Sequence, residues 1–239
     1  MTDGKRAQTF VLIPGAWLGG WSWQPVAHAL IERGHRALAP SLPGLSYDGA
    51  PARLELADAV DYVVGEVERR DLSDVVLACH SWGGYPATGA AHRLVGRVAK
   101  VIYFNAVVPE RGKSMLDENE QYGEIIRQAI NATPDATVPL DLDAVRNVLM
   151  PGDPAPLQEL VSRLLLPQPG GYMTGSLDLP PLTEIGVDAA YVLCADDNAL
   201  ARPGTEFAAR LGVDPLVIPG NHLTMLTSPD TVADALLST

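Results

Sequence analysis

Asp74-Val75-Val76-Leu77-Ala78-Cys79-His80-Ser81-Trp82-Gly83-Gly84 carries the pattern on which the fold turns. The run at 74–79 (DVVLAC) reads as a strand buried on both faces. It leads through Ser81 into a helix over 83–95 that is rich in small residues. A serine on such a strand-to-helix turn is forced into a strained conformation that lifts its hydroxyl above the sheet. Strand and helix approach closely there, so small residues are needed two positions before and two after the serine. Gly83 meets that need; Cys79 stands where glycine is usual, but is itself small. The competing reading of Ser81 is an ordinary helix cap.

Working outward, further strand-like runs lie at 9–13 (closed by Pro14-Gly15), 35–39, 98–104, 189–194 and 214–218. Helical patterns lie at 25–33 (stopped by Gly34), 55–70, 203–211 and 229–237. In the second of these, Leu56, Ala59, Val60, Val63, Val64 and Val67 recur at the helical period. Six strands with helices between most of them predict an α/β chain, its mainly parallel six-stranded sheet covered by helices on both faces. Residues 109–187 break the alternation. They show helical pieces at 122–131, 142–149 and 156–166, Pro- and Gly-rich joints at 151–152 and 167–171, and no clear strand. The expected division is a core of 1–108 and 188–239 with a helical cap, 109–187, inserted in it. A cap placed there lies over the carboxyl ends of the strands, where open α/β sheets hold ligands. The alternative is a helical subdomain that only adds core.

Composition narrows the function. The 239 residues carry 29 acidic and 17 basic side chains, a net charge of −12, and no Lys/Arg run longer than two. Nucleic acid needs a basic face, and an anionic membrane surface needs a polybasic segment, so neither partner is expected. No apolar run approaches the ~18–20 residues of a membrane span. Residues 1–8 are polar, unlike a secretory leader, and a cytoplasmic location is expected. Cys79 and Cys194 show no metal-ligand spacing. No metal or cofactor is expected, and the partner is a small-molecule substrate.

A serine nucleophile needs a base. His28 lies in a helix pattern, His35 starts a strand, His80 should point away from Ser81, and His92 reads as solvated late in a helix. His222 follows the last strand, in the loop Pro219-Gly220-Asn221-His222, and is preferred. An acid must orient that imidazole. Asp196 and Asp197 both follow the fifth strand; Asp197 is favoured, and the other carboxylate is solvated or caps the loop. For an oxyanion hole, one donor is the N–H of Trp82 and the other that of Ala16, in the glycine-bearing loop 14–20. All four tryptophans fall in these two segments; Trp21 and Trp23 read as core, Trp17 and Trp82 as candidate pocket walls.

Taken together, Ile13-Pro14-Gly15-Ala16-Trp17, Gly20-Trp21-Ser22-Trp23, the serine turn, Cys194-Ala195-Asp196-Asp197, Asn221-His222-Leu223-Thr224-Met225-Leu226 and Leu165-Leu166-Pro167-Gln168-Pro169 resemble one family. It is the small α/β-hydrolase group of plant methyl-salicylate esterases and hydroxynitrile lyases with their bacterial relatives. The chain order Ser81, Asp197, His222 is that of α/β-hydrolases. The resemblance covers nearly the whole chain and implies the α/β-hydrolase fold, a Ser81–His222–Asp197 triad, an acyl-enzyme and a homodimer. Three departures stand out: Pro14 where His is frequent, Cys79 for Gly, and Gly15 and Leu223 where lyase members carry Thr and Lys. The resemblance is therefore esterase-like, toward a small carboxylic ester or lactone. The alternatives are a lyase or cyclase reusing the triad for acid/base chemistry, and a non-catalytic ligand binder. Pocket candidates are Gly15, Trp17, Met150, Tyr172 and Leu223; Met115, Leu149 and Met173 are further lining candidates, and all five of Met115, Leu149, Met150, Tyr172 and Met173 are equally readable as cap core. In this family's strand order another strand separates the two cysteines, which implies free thiols.

Overall fold

A computed structural model describes residues 7–47 and 53–239. The polar stretch at 1–6 lies outside them. The chain alternates β1 (Thr9–Ile13), α1 (Gln24–Glu32), β2 (Arg36–Leu38), α2 (Leu56–Arg69), β3 (Val75–Ser81), α3 (Gly84–Arg93) and β4 (Val98–Ala106). Next come α4 (Glu120–Ala132), β5 (Thr137–Val138), α5 (Leu142–Ala144), α6 (Ala155–Leu164), β6 (Gln168–Pro169) and α7 (Gly170–Thr174). The alternation resumes with β7 (Asp188–Cys194), α8 (Gly204–Arg210), β8 (Leu216–Ile218), α9 (Thr224–Thr227) and α10 (Pro229–Ser238).

The main sheet is parallel throughout, in the order β2-β1-β3-β4-β7-β8. Its side chains divide by parity. Val11, Ile13, Leu77, Cys79, Val101 and Tyr103 pack toward α2 and α3, against Val60, Val63, Ala87 and Ala90. Phe10, Leu12, Val76, Ala78, Ile102 and Phe104 pack toward α1 and α10, against Val26, Leu30, Val232 and Leu236. Both faces are covered, which is why the strands read as continuous apolar runs. Each large side chain so buried contributes roughly 1.5–3 kcal/mol. Strand order reverses between β1 and β3, which are direct neighbours. A switch point of this kind, where loops leave neighbouring carboxyl ends in opposite directions, is where open α/β sheets hold ligands.

Two sequence expectations need correction. Residues 109–187 do contain strands: β5 and β6 pair antiparallel, with Val138 opposite Gln168. Residues 167–171 are not simply a joint, because they hold β6 and the start of α7. Two-residue strands carry no periodicity, and Pro169 and Gly170-Gly171 mimic a turn.

β4 runs between β3 and β7, so Cys79 and Cys194 are separated by a strand, and both are free and buried. Burial raises both thiols above their ordinary value, Cys194 to about 11. Among the described residues no helix is long and apolar enough to cross a membrane.

Candidate active site

Ser81 ends β3 with φ of +54°, left-handed backbone that a non-glycine residue holds only under strain. The register with β4 slips between His80 and Ser81. The turn is closed by Gly83 N–H donating to His80 C=O at 2.8 Å. A Cβ on Gly83 would lie 2.6 Å from the Pro14 carbonyl oxygen, which explains glycine two residues after the serine. Two residues before it, the Cys79 thiol is tucked 3.5 Å from Ile102 C=O, so this larger side chain is accommodated.

The β1 loop presses on Ser81 from the neighbouring strand. A Cβ on Gly15 would lie 2.8 Å from Ser81 Cβ and 2.7 Å from His80 Nδ1, so only glycine permits this approach. Trp17 follows with φ of +64°. All its polar groups are taken by the segment between β4 and β7. Its N–H donates to Gln168 Oε1 at 2.8 Å and its indole N–H to Val138 C=O at 2.8 Å. Its C=O accepts from Leu166 N–H at 3.1 Å. Among the described residues, the N–H groups of Ala16 and Trp82 donate to no other protein group.

His222 lies in the loop after β8, and its Nδ1 faces Asp197 Oδ2 at 2.9 Å and Oδ1 at 3.0 Å. Their side chains are 4% and 0% exposed. Asp197 Oδ1 also accepts from Ala199 N–H at 2.9 Å, whereas Asp196 is exposed. The structure thus separates two carboxylates that sequence alone leaves adjacent. With Nδ1–H directed to a carboxylate, the neutral imidazole keeps its lone pair on Nε2.

The His222 loop is tied to β3 and β4 by groups that sequence reasoning missed. His80 Nε2 meets His222 C=O at 3.0 Å, and the two rings lie 4.5 Å apart. Asn105, buried at the end of β4 with φ of +43°, donates from Nδ2 to the carbonyls of Asn221 (3.3 Å) and His222 (3.4 Å). Its Oδ1 accepts from Cys194 N–H at 2.7 Å. Asn221 donates from Nδ2 to Asp153 Oδ2 at 2.7 Å. No local signal marks Asn105, because its partners lie 89, 116 and 117 residues away in sequence.

The remaining candidates are placed as follows. Trp82 and Tyr172 are fully buried and stack at 4.9 Å. The indole N–H of Trp82 donates to Tyr172 C=O at 2.8 Å, and the Tyr172 hydroxyl to Pro43 C=O at 3.0 Å. Met150 and Leu223 share a buried apolar cluster with Leu18 and Leu149. Among the other histidines, His28 pairs with exposed Glu32, and His35 Nδ1 accepts from Gln8 N–H. His92 is not simply solvated: it is half-buried, its ring nitrogens 2.9 Å from the carbonyls of Thr88 and Pro180.

Burial pushes the His80 imidazole well below its ordinary value, with His222 adding to the effect. His80 therefore folds neutral and donates from Nε2. The unfolded chain binds a proton that the folded chain excludes, so stability rises with pH up to about 6.5 and is lost below it. The expected slope from this one group is about 1.4 kcal/mol per pH unit between the depressed and ordinary values. Urea denaturation at pH 7.5 and 5.0 measures it. His80→Gln keeps an N–H donor and removes the titration, so its pH dependence should be shallower; an unchanged dependence would exclude this origin.

Comparison with known proteins places this geometry. A profile of the Alpha/beta hydrolase family matches residues 10–235. Methylesterase 2 of Arabidopsis thaliana is 24% identical over 100% of this chain and 98% of its own length. The carbendazim hydrolyzing esterase of Nocardioides sp. (strain SG-4G) is 38% identical, over 45% of each chain. A solved extracellular alpha/beta-hydrolase from a Paenibacillus species superposes with a TM-score of 0.91. At 23% identity, over 97% of this chain and 98% of that one, the likeness is one of fold. With a profile matched from β1 into α10, the chain belongs to the alpha/beta hydrolase family.

Proposed function

We propose that this protein hydrolyses a small carboxylic ester or lactone through a Ser81–His222–Asp197 triad. The observations that carry the reading are the strained backbone of Ser81 and a buried His222–Asp197 pair whose loop is tied to His80, the residue before Ser81. The names of the esterase relatives support it.

Ser81 Oγ attacks the ester carbonyl carbon while its proton passes to His222 Nε2. Asp197 holds the imidazolium through Nδ1–H. The tetrahedral oxyanion takes hydrogen bonds from Ala16 and Trp82 N–H. Losing one such donor typically costs about 3–4 kcal/mol. Collapse breaks the ester C–O bond, and the leaving oxygen collects the proton from His222. Water then attacks the acyl-enzyme, gives its proton to Nε2, and the acid departs as Ser81 recovers its proton. Residues 109–187 act as the cap, since they hold Trp17 and stack Tyr172 on Trp82.

A cyanogenic lyase use of the triad lacks support here. Leu223 is fully buried among apolar side chains and offers no cation, and Gly15 has no room for a hydroxyl-bearing side chain. A fluorophosphonate probe tests the proposal. The expected result is one covalent adduct on Ser81, with p-nitrophenyl acetate turned over until that adduct forms. An unlabelled Ser81 in folded protein would overturn it.

A further inference from the structure

The loop that carries His222 is held from two sides. On the core side, His80 Nε2 meets His222 C=O at 3.0 Å, and Asn105 Nδ2 reaches the Asn221 and His222 carbonyls at 3.3 and 3.4 Å. On the other side stands a residue of the inserted segment. Asn221 Nδ2 donates to Asp153 Oδ2 at 2.7 Å, across 68 residues of sequence. Asn221 is buried, and its Oδ1 is already committed to the Leu223 N–H at 3.1 Å. A backbone N–H can only donate, so that bond fixes the amide and leaves Nδ2 for the carboxylate. An amide on a carboxylate makes a charge-assisted bond, shorter and stronger than a neutral one.

Asp153 is itself set in place. Its N–H donates to Met150 C=O at 3.2 Å, closing a turn through Gly152, whose φ is +82°. The same carbonyl accepts from Gln158 Nε2 at 2.8 Å, in buried surroundings. Met150 and Leu223 share one buried apolar cluster. Both neighbours of His222 therefore meet the inserted segment: Asn221 through a hydrogen bond, Leu223 through that cluster.

We propose that Asp153 is a positioning residue for the base: through Asn221 it sets the loop that presents the His222 imidazole to Ser81. The segment that holds the β1 loop through Trp17 thus holds the base as well. This deepens the esterase reading and rests on it. Cutting the tie leaves substrate binding intact and delivers the imidazole less accurately, so kcat falls while KM stays.

The test is steady-state hydrolysis of p-nitrophenyl acetate, with kcat counted per site titrated to completion by a fluorophosphonate, so that unfolded protein does not enter. Asp153→Ala should lower kcat roughly tenfold, the worth of one hydrogen bond, with KM within about twofold of the parent. Asn221→Asp cuts the tie from the loop side, keeps the acceptor for Leu223 N–H and should lose at least as much; it decides the matter where Asp153→Ala does not fold. The exchange Asp153→Asn/Asn221→Asp rebuilds the bond with donor and acceptor reversed, and should recover kcat to within about threefold of the parent. A residue that only stabilised the cap would change the melting temperature or the titratable fraction, and not kcat per site. A kcat within about twofold of the parent in either folded single variant, a change in KM alone, or an exchange no faster than Asn221→Asp overturns the proposal and leaves the esterase reading standing. Wild-type protein that neither turns over the ester nor takes the label overturns both.

Discussion

Replacing Ser81 by alanine is expected to lower kcat for an activated ester by about 10⁴-fold or more, with the melting temperature close to the parent's. The hydroxyl is the only group lost, and alanine inherits the strained φ of +54° without relieving it. His222→Ala should cost about as much, because an alcohol without a base is a poor nucleophile at neutral pH. The Ser81→Ala/His222→Ala double variant should be barely slower than either single one, since the three groups act as a unit. Asp197→Asn should lose on the order of 10⁴-fold by favouring the wrong imidazole tautomer. Steady-state and single-turnover rates check all four. Multiplicative losses in the double variant would mean that Ser81 and His222 serve separate steps, and the triad would be wrong.

Asn105→Ala is expected to give the largest loss of stability among substitutions near the site. It strips the Cys194 N–H of its Asn105 acceptor, removes one donor from each of the Asn221 and His222 carbonyls, and leaves alanine at a φ of +43° that asparagine tolerates better. At about 1–3 kcal/mol for the Cys194 N–H and about 0.5–1.5 kcal/mol for the bonds lost at the two carbonyls, the total comes to about 2–4 kcal/mol. For a chain of this size that lowers Tm by roughly 5–15 °C. Activity should fall too, on the order of 10²-fold in kcat, because the loop that carries His222 loses its anchor on β4. Calorimetry and initial rates on one preparation measure both. A variant that melts within two degrees of the parent and keeps its kcat would show that the His80 contact alone positions the loop.

What the sequence discloses and what it withholds follow from the reach of each signal. The six sheet strands are apolar runs with turn residues at their ends, so their alternation is local information. Ser81, Asp197 and His222 are legible for the same reason: each sits just past a strand, where the backbone turns outward. Asp197 is favoured over Asp196 from sequence, and burial, which adjacent residues do not encode, is what separates the two. β5 and β6 are too short for any period. Asn105 and Gln168 matter through partners more than 80 residues away, and nothing in their flanking residues announces it. His92 looks solvated late in a helix until Pro180 is seen to lie beside it.

The three bonds of Trp17 to Val138, Leu166 and Gln168 set a rule for anyone wishing to re-engineer this scaffold. A foreign lid transplanted between β4 and β7 would bring its own pocket, yet it would strand a tryptophan in the loop that packs on Ser81, the proposed nucleophile, with three unanswered polar groups. Grafts that reproduce those three acceptor and donor positions should retain turnover while changing substrate range. Grafts that ignore them should fold and remain idle.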